Sequence, residues 1–424
     1  MSELNLIVFF VAAIDRIWKY TRISSFFAGA TSPIDSSPSD ANPGDAKQET
    51  QPAASTETKT ETVTIVQPIL SGDPTIWRVL ADNLRFVSSY QIDYIWAIDD
   101  DDKLAQSECL RVLAEYQKST PQPRPVKILS LPAAPADFSP KTFKIVEGFK
   151  LSSADILINL DDDTTLPDNA LEIVGPLLSK PTTGAVFAVP FYKSFGDTWS
   201  SFISSFVNGF STWSYIPYTC FIRPFTINGM FYAVRRTVYD KVDGLYGLEK
   251  DICDDYVFGQ RLINHGYYLV QAPLLHPISI KVKDLRHCLN IIKRWFVFTN
   301  ASVMTSTTKN LIVFYTVVFA ALFHPFALLM LFLVAPGWLS AALLIGYVVL
   351  HLYTAHLVNK NYLGGVTPWW GLVVNELYSF VLPLHATWTL LVPKRINWRG
   401  NVMQVTASGK FKLVEPRHLL KQVK

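Results

Sequence analysis

Three long apolar runs in the C-terminal part of the chain constrain its fold more than any other feature. They are Leu311 to Val334, Leu339 to Val358 and Trp369 to Val392. Each run matches the roughly 20 apolar residues that a transmembrane helix needs. A helix buried in a soluble core is the alternative for a single run, but three in succession predict a segment embedded in a membrane.

Basic residues gather on both sides of this region. They are Lys281, Lys283, Lys293, Arg294 and Lys309 before it, and Lys394, Arg395, Arg399, Lys410 and Lys412 after it. The positive-inside rule puts both flanks in the cytosol, which three full crossings cannot satisfy. We therefore expect the third run to be interfacial or re-entrant, because it contains Asn375, Glu376 and His385.

The N-terminal part predicts an anchor followed by a linker. Residues 4 to 14 form a short apolar run, which we interpret as a marginal anchor, with a signal-peptide core as the alternative. Residues 31 to 62 are rich in Ser, Thr, Pro and acids, a composition typical of a disordered linker. The expected division is 1–30 anchor, 31–62 linker, 63–296 folded domain, 297–393 transmembrane or interfacial helices, and 394–424 basic cytoplasmic tail.

Composition agrees with a protein that lies partly in lipid. Charged residues make up 17% of the chain and apolar residues 49%, and the mean hydropathy is +0.20. The net charge of +3 is too small to indicate a nucleic-acid partner, so we expect none. The four cysteines form no CxxC pair, which argues against a zinc or disulfide framework and favours reduced thiols facing the cytosol.

Short apolar runs alternate with amphipathic stretches between Val63 and Trp295. The predicted strands are Tyr94 to Ile98, Val126 to Leu129, Ile156 to Leu160, Val186 to Val189 and Phe231 to Val234. Helical spacing is present in Ile76, Leu80 and Leu84, and in Phe143, Val146 and Phe149. This alternation predicts an α/β fold with a mostly parallel sheet, whose ligand binds at the carboxyl ends of the strands.

An aromatic helical face is predicted between Thr198 and Tyr218. Phe202, Phe206, Phe210 and Trp213 recur there at three- or four-residue spacing. The helix either packs on the core of its own domain or lies in the plane of the lipid headgroups.

Two acidic clusters directly follow predicted strands. Asp99 follows the strand ending at Ile98 and is a candidate to bind a base or ribose, whereas Asp101 and Asp102 are expected in a solvated loop. Asp161 to Asp163 follow a strongly apolar strand. If the backbone stays extended, Asp161 and Asp163 share one side and Asp162 points away. Crowded carboxylates protonate or bind a cation, here Mg²⁺ or Mn²⁺; a solvated loop is the alternative.

Two later motifs each allow two interpretations. Asp254 and Asp255 precede a predicted helix and either cap it or include a general base. Arg294 and Trp295 precede the first apolar run. They either lie at the membrane interface or bind a diphosphate and wall an acceptor channel.

In this order the motifs resemble glycosyltransferase families 2 and 21, most closely the ceramide glucosyltransferase-like group. The resemblance covers Val63 to Trp295, with looser agreement in the apolar runs and in INWRG at Ile396 to Gly400. It implies a GT-A-type sheet followed by transmembrane helices. Ile291 stands where the family has a polar residue, which argues against processive polymerisation. The implied roles are nucleotide or nucleotide-sugar binding for Asp99, Lys141, Asp161, Gly229 and Met230, metal binding for Asp161 and Asp163, and catalysis for Asp255 as base with Asp254, Arg294 and Trp295.

The resemblance also implies a reaction. We expect an inverting, metal-dependent hexosyltransferase that moves a sugar, glucose from UDP-glucose, onto a membrane lipid such as ceramide or another glycolipid. The alternatives are a polysaccharide synthase of the same family and a catalytically silent protein that binds nucleotide-sugar or lipid. The expected location is a membrane with the catalytic domain in the cytosol: Golgi or ER in a eukaryote, the plasma membrane in a bacterium.

Overall fold

A computed structural model describes residues 2–29, 61–135, 137–251, 253–303, 308–392, 394–405 and 410–415. The predicted linker, residues 31–62, lies almost wholly outside the described residues.

The central feature is a seven-stranded, mostly parallel sheet with the order β3-β2-β1-β4-β6-β5-β7. Only β6 runs antiparallel to its neighbours in this sheet. The strands are β1 Thr62–Ile69, β2 Gln91–Asp99, β3 Val126–Leu131, β4 Ile156–Leu160, β5 Thr183–Tyr192, β6 Phe231–Arg235 and β7 Tyr268–Ile278. Five of them contain the predicted strands, so the expected α/β class is confirmed.

Both faces of the sheet are buried, which explains why its strands are nearly continuous apolar runs. Successive side chains of a strand point to opposite faces. Thus Ile65 and Trp96 belong to one core cluster, and Val66 and Ile95 to the other. All five residues of β4 are buried.

The helices before Leu285 are α1 Ser2–Gly29, α2 Ile76–Asn83, α3 Lys103–Ser119, α4 Pro140–Leu151, α5 Ala170–Leu178, α6 Thr198–Asn208, α7 Ser211–Tyr218, α8 Arg236–Lys241 and α9 Asp254–Asn264. Most of them cover the two faces, whereas α1 packs mainly on helices of the C-terminal region. The predicted helical faces lie in α2 and α4, as expected. The helix α1 extends well beyond the apolar run at residues 4 to 14, because Arg16 and Lys19 bond to other helices instead of ending it.

The predicted aromatic helix is divided into α6 and α7, and its aromatic face packs against protein. Phe202 and Phe206 are buried and contact Tyr378. Trp213 is buried in a cluster that includes Val189 of β5. Part of this face therefore packs on the core of its own domain and part on the C-terminal helix that carries Tyr378; the position of the helix relative to lipid headgroups stays a prediction.

The C-terminal region is a layer of helices. They are α10 Leu285–Val303, α11 Thr308–Val313, a π-helix Phe314–Phe319, α12 Ala320–Val334, α13 Trp338–Tyr362, α14 Trp369–Ser379 and α15 Leu382–Leu391. Among the described residues, α13 alone is long and apolar enough to cross a membrane. The helical segments Lys309–Val318 and Phe323–Val334 meet at a bend of 52°, and they count as a second span only if the two together form one crossing. The expectation of three runs each long enough to cross is thus not confirmed.

The third apolar run is divided into α14 and α15, so no single helix extends through it. Whether it is re-entrant stays a prediction.

The residues after this layer fold differently from the expected tail. They form a three-stranded antiparallel sheet of β8 Arg395–Trp398, β9 Asn401–Val405 and β10 Phe411–Glu415. Ile396 and Val405 of this sheet are buried with Val297 of α10. The sheet is therefore joined to the helix that carries Arg294 and Trp295.

Candidate active site

The aspartate trio lies where β4 ends, on the wall of a cavity. The backbone turns there, with the Thr164 amide donating to the Asp161 carbonyl at 3.1 Å. The expectation of continued extended geometry was therefore wrong. The cavity wall consists of Pro68, Leu70, Pro140, Lys141, Lys144, Asp161, Asp162, Asp163, Tyr192, Met230, Arg294 and Arg399.

Asp161 is paired with Lys141 of α4. The Lys141 ammonium lies 2.7 Å from Oδ1 and 2.9 Å from Oδ2 of Asp161. The start of α4 fixes this lysine, because Ser139 caps the helix and Pro140 occupies its first turn. Burial alone would lower the pKa of Lys141, but Asp161 and Asp254 raise it overall. Lys141 is thus a fixed cation on the cavity wall.

Asp162 does not point away from the ligand crevice as expected. It is 4% exposed and accepts bonds from Arg399 at 2.6 and 2.9 Å and from the Leu70 amide at 2.9 Å. Leu70 directly follows β1, so the carboxylate joins the ends of β1 and β4. A turn after β4, instead of continued strand, makes this orientation possible.

Asp163 carries the least compensated charge of the trio. Its closest cation is Arg399, with an N–O distance of 3.7 Å. Burial first, and then the charges of Asp162 and Asp161, raise the pKa of Asp163 to about 7. A carboxyl group in this condition is stabilised by a cation.

A divalent cation fits Asp161 and Asp163 only as a partial protein site. Among the described residues, no group of three or more His, Cys, Asp or Glu side chains has a metal-binding arrangement. Mg²⁺ nevertheless commonly binds through one or two carboxylates, with waters and substrate phosphates completing its shell. The donor set is therefore compatible with a cation that arrives with a diphosphate.

Asp99 lies at the end of β2 and is bound by Lys144 of α4. The Lys144 ammonium lies 3.0 Å from Asp99 Oδ1 and donates to the Ile69 carbonyl at 2.7 Å. Asp101 is exposed, as predicted, but the expectation for Asp102 was wrong. Asp102 is 0% exposed, caps α3 and binds the amide and hydroxyl of Ser71 at 2.9 and 2.6 Å.

Asp254 and Asp255 form the first turn of α9. Asp255 accepts bonds from the Tyr256 amide at 2.8 Å and the Gly229 amide at 3.3 Å, so it serves the helix start and also contacts the site. Burial raises the pKa of both acids, to about 6 for Asp254, while Lys141 opposes the shift. A carboxylate in this environment is a stronger base than a solvated one.

Gly229 joins the acidic pair to the cavity. Its carbonyl accepts from Lys141 at 2.7 Å and from Asn159 at 2.8 Å, while its amide donates to Asp255. A side chain at this position would come within 3.2 Å of Asp255. The absence of a side chain therefore allows the close approach.

Arg294 and Trp295 face two different environments. Arg294 lines the cavity, and burial lowers its pKa. Trp295 stacks on Phe206, with ring centroids 6.0 Å apart and planes 7° apart, and meets the edge of Tyr192 at 5.9 Å. Tyr192 in turn lines the cavity, so the indole belongs to an aromatic wall behind it.

Arg399 is the main site residue that sequence reasoning missed. It lies in the turn between β8 and β9, where Arg399 and Gly400 have φ angles of 47° and 92°. Two-residue hairpin turns of this kind usually contain Asn-Gly or Gly-Gly. The available sequence signal is the place of Arg399 in Ile396 to Gly400, the INWRG segment that agrees loosely with the family. Lys144 and Tyr192 were missed as well. Lys144 ends the segment SPKTFK, in which only Lys141 was singled out, and Tyr192 belongs to no recognisable motif.

The fold and the site together define an α/β domain in which carboxylates and fixed cations meet at the carboxyl ends of β1, β2 and β4, where sheets of this kind bind their ligands. A family model described as glycosyl transferase family 21 matches residues 39–411. The chain belongs to this family and is a glycosyltransferase. No curated protein matches the chain.

Solved structures with a related arrangement are glycosyltransferases of low sequence identity. A mannosyltransferase from Pyrobaculum calidifontis, solved with GDP-mannose and Mn²⁺, is 16% identical over 90% of this chain and 99% of its own, with a TM-score of 0.49. GalNAc-T7, solved with UDP, GalNAc and Mn²⁺, is 11% identical over 60% and 52%, with a TM-score of 0.40. Glucosyl-3-phosphoglycerate synthase from Mycobacterium tuberculosis, solved with Mg²⁺ and UDP, is 14% identical over 58% and 81%, with a TM-score of 0.34.

Proposed function

We propose that this glycosyltransferase moves glucose from UDP-glucose onto the hydroxyl of a membrane lipid, such as ceramide or another glycolipid acceptor, with inversion at the anomeric carbon. The observation that carries the proposal is the junction at Gly229. Its carbonyl binds Lys141 and its amide binds Asp255. A candidate base and a candidate phosphate-side cation are therefore both hydrogen-bonded to the backbone of one residue, Gly229.

In the proposed reaction, Asp255 accepts the proton of the acceptor hydroxyl as its oxygen attacks the anomeric carbon. The bond from that carbon to the diphosphate oxygen breaks, and UDP departs with the bonding electron pair. Lys141 and Arg294 offset the charge that develops on the diphosphate. A single displacement of this kind inverts the anomeric configuration.

The remaining candidate residues position the substrates. Asp99, Asp161 and Met230 bind the nucleotide-sugar, and Asp254 orients a sugar or acceptor hydroxyl. The Oδ2 atom of Asp254 is buried and has no hydrogen bond within the described residues, so it has the capacity to accept one. A Mg²⁺ or Mn²⁺ ion held by Asp161 and Asp163 would supply positive charge to the diphosphate.

The proposed location follows from the family and from α13. Family 21 membership and one apolar helix support association with a membrane. We place the catalytic domain in the cytosol, because UDP-sugars are expected there and basic residues flank the helical layer. A Golgi or ER membrane in a eukaryote, or the plasma membrane in a bacterium, satisfies this orientation.

The test is transfer of label by the full chain in membranes. Radiolabelled UDP-glucose, UDP-galactose and GDP-mannose are supplied separately with a lipid extract and Mn²⁺. We expect label in the organic phase from UDP-glucose, and loss of it in Asp255→Asn but not in Asp240→Asn, an exposed carboxylate on α8.

Other outcomes point to the alternatives. A labelled product of high molecular weight that resists organic extraction indicates a polysaccharide synthase. Binding of UDP and Mn²⁺ in calorimetry without transfer from any donor indicates a catalytically silent protein. Full activity of Asp255→Asn would overturn the proposed mechanism.

A further inference from the structure

Tyr192 occupies the last position of β5 and lines the catalytic cavity. Only 3% of its surface is exposed. Its backbone is held by α6, because the Asn208 side chain accepts from the Tyr192 amide at 2.7 Å and donates to the Tyr192 carbonyl at 3.0 Å. Ser204 donates to the same carbonyl at 2.6 Å. The fold therefore fixes the place of Tyr192 on the cavity wall.

The ring of Tyr192 is oriented by Trp295 of α10. The two rings meet edge to face, with centroids 5.9 Å apart and planes at 80°. The Trp295 indole in turn stacks on Phe206, with planes 7° apart, and the three residues belong to one apolar cluster. Edge-to-face contact is a preferred geometry of aromatic pairs. The indole thus has a role in orienting Tyr192 that requires no contact with a sugar ring.

The Tyr192 hydroxyl has a proton to donate and lacks a protein acceptor. Within the part of the chain that the structure describes, this hydroxyl forms no hydrogen bond. The ordinary pKa of tyrosine is about 10, so the group is protonated at neutral pH, and burial raises the pKa of Tyr192 further. Because buried hydroxyl groups normally have a partner, we expect an accepting atom of a ligand beside it.

A second donor without an acceptor lies on the same wall. Arg294 lines the cavity directly before Trp295 in sequence, and its guanidinium forms no ion pair or hydrogen bond with another described residue. The charges of Asp163 and Arg294 both act on the Tyr192 hydroxyl. A cation and a neutral donor near a candidate metal ligand suit the oxygens of a phosphate group. Asp255 is not among the described residues that line this cavity, so the hydroxyl belongs to the donor side of the site.

We propose that the Tyr192 hydroxyl donates a hydrogen bond to the diphosphate of the nucleotide-sugar donor, and that Trp295 is a positioning residue that acts through Tyr192. The proposal rests on the function proposed above only in requiring a nucleoside diphosphate. It predicts that part of the affinity for the phosphates, and none of the affinity for the nucleoside, depends on Tyr192.

The test compares the binding of UDP, UMP and uridine to the full chain in phosphatidylcholine nanodiscs at saturating Mn²⁺. Calorimetry measures the nucleotides, and ligand-detected NMR measures the weaker nucleoside. Tyr192→Phe removes the hydroxyl and keeps the ring. We expect it to weaken UDP binding by roughly tenfold, the loss of a hydrogen bond to a charged group, and to leave uridine binding unchanged. A loss for UDP alone places the contact at the outer phosphate, and an equal loss for UMP places it at the inner one.

Tyr218→Phe is the matched control. The Tyr218 hydroxyl is also buried without a hydrogen bond to a described residue, but it lies in a separate cluster with Ile222 and Val318. Its loss should change no affinity. Unchanged UDP binding in Tyr192→Phe overturns the proposal, and so does an equal loss of uridine binding, which indicates a distorted site. A higher Mn²⁺ requirement with normal UDP affinity at saturating Mn²⁺ shows that the hydroxyl acts on Asp163 instead, and it also overturns the proposal.

The role of Trp295 is tested in two backgrounds. Trp295→Leu removes the ring contact and should weaken UDP binding by roughly two- to tenfold. In the Tyr192→Phe background the same change should have no further effect, because residues that act through one another are not additive. Trp295→Phe keeps an aromatic ring and should recover most of the affinity. Additive losses of UDP binding would contradict the positioning role, and uridine binding shows whether each variant is folded.

These binding measurements need no acceptor, so they can fail independently of the proposed function. A wild type that moves no glucose to lipid, but loses UDP affinity in Tyr192→Phe, contradicts the proposed reaction and supports the contact. A wild type that binds GDP in place of UDP contradicts the proposed donor. In that case GDP, GMP and guanosine replace the three uridine ligands, and the same differences are expected.

Discussion

The Arg399 guanidinium forms a bidentate ion pair with the Asp162 carboxylate, at N–O distances of 2.6 and 2.9 Å. The same guanidinium donates to the Leu70 carbonyl at 2.8 Å. One side chain from the C-terminal hairpin therefore holds the ends of β1 and β4 together. The crevice between those strand ends is where the donor diphosphate is proposed to lie.

Arg399→Ala should lower kcat by roughly 10- to 100-fold, the usual effect of removing a group that orients side chains at a metal or phosphate site. Arg399→Lys should recover part of the loss, because it keeps the charge without the two-pronged geometry. The measurement is kcat and the KM for UDP-glucose in nanodiscs. Arg395→Ala, exposed on the same hairpin, is the control. A purely structural role predicts equal defects in Arg399→Lys and Arg399→Ala.

Removal of divalent cations with EDTA should abolish transfer, and Mn²⁺ or Mg²⁺ should restore it. Asp163→Asn should raise the Mn²⁺ concentration for half-maximal activity by roughly 10- to 100-fold, since one of two carboxylates is lost. Calorimetry of UDP with Mn²⁺ provides a readout that is independent of turnover. The exposed Asp240→Asn is the control. Transfer at full rate in EDTA contradicts the cation proposal.

The sheet could be predicted from sequence because its strands are buried on both faces. Ile156–Leu160 is apolar at four of its five positions, and such runs identify central strands without any knowledge of partners. In contrast, β7 was missed. Its burial alternates, and Pro273 and Pro277 interrupt the pattern, which lowers its strand signal.

A candidate site residue could be predicted from sequence only where its immediate neighbours in the chain indicate its role. Asp161 and Asp163 follow a strand and Asp255 starts a helix, so local signals identified them. The contact between Asp162 and Arg399 joins residues 237 positions apart, and no local pattern reveals it. The error at Asp102 has a similar cause, because its partner Ser71 lies on another loop.

The pH profile of the reaction should fall on its acid side, the acid limb, with an apparent pKa above about 3.9, the ordinary pKa of aspartate. Burial raises the pKa of Asp255, Lys141 opposes this, and the net shift is upward. A general base works when deprotonated, so the rate rises as pH increases through this pKa. Lys141→Met removes the opposing cation and should move the limb to higher pH.

The measurement is kcat/KM for UDP-glucose against pH in wild type, Lys141→Met and Lys127→Met. Lys127 is exposed on β3 and should leave the limb in place. A limb that stays fixed, or shifts to lower pH, in Lys141→Met would contradict the assignment of Asp255 as base.

Gly148→Ala should destabilise the protein even though alanine is the better helix former. Gly148 lies in α4, and a Cβ atom there would come within 2.5 Å of the buried Val66 side chain of β1. Overpacking of this kind costs about 1–3 kcal/mol, which exceeds the gain of up to about 1 kcal/mol in helix propensity. Because α4 carries Lys141 and Lys144, the forced displacement should also weaken UDP binding.

The measurements are the melting temperature and UDP affinity. Gly346→Ala, in α13 with its nearest atom at 3.5 Å, should melt no lower than wild type; equal melting temperatures for Gly148→Ala and wild type would show that α4 accommodates the methyl group.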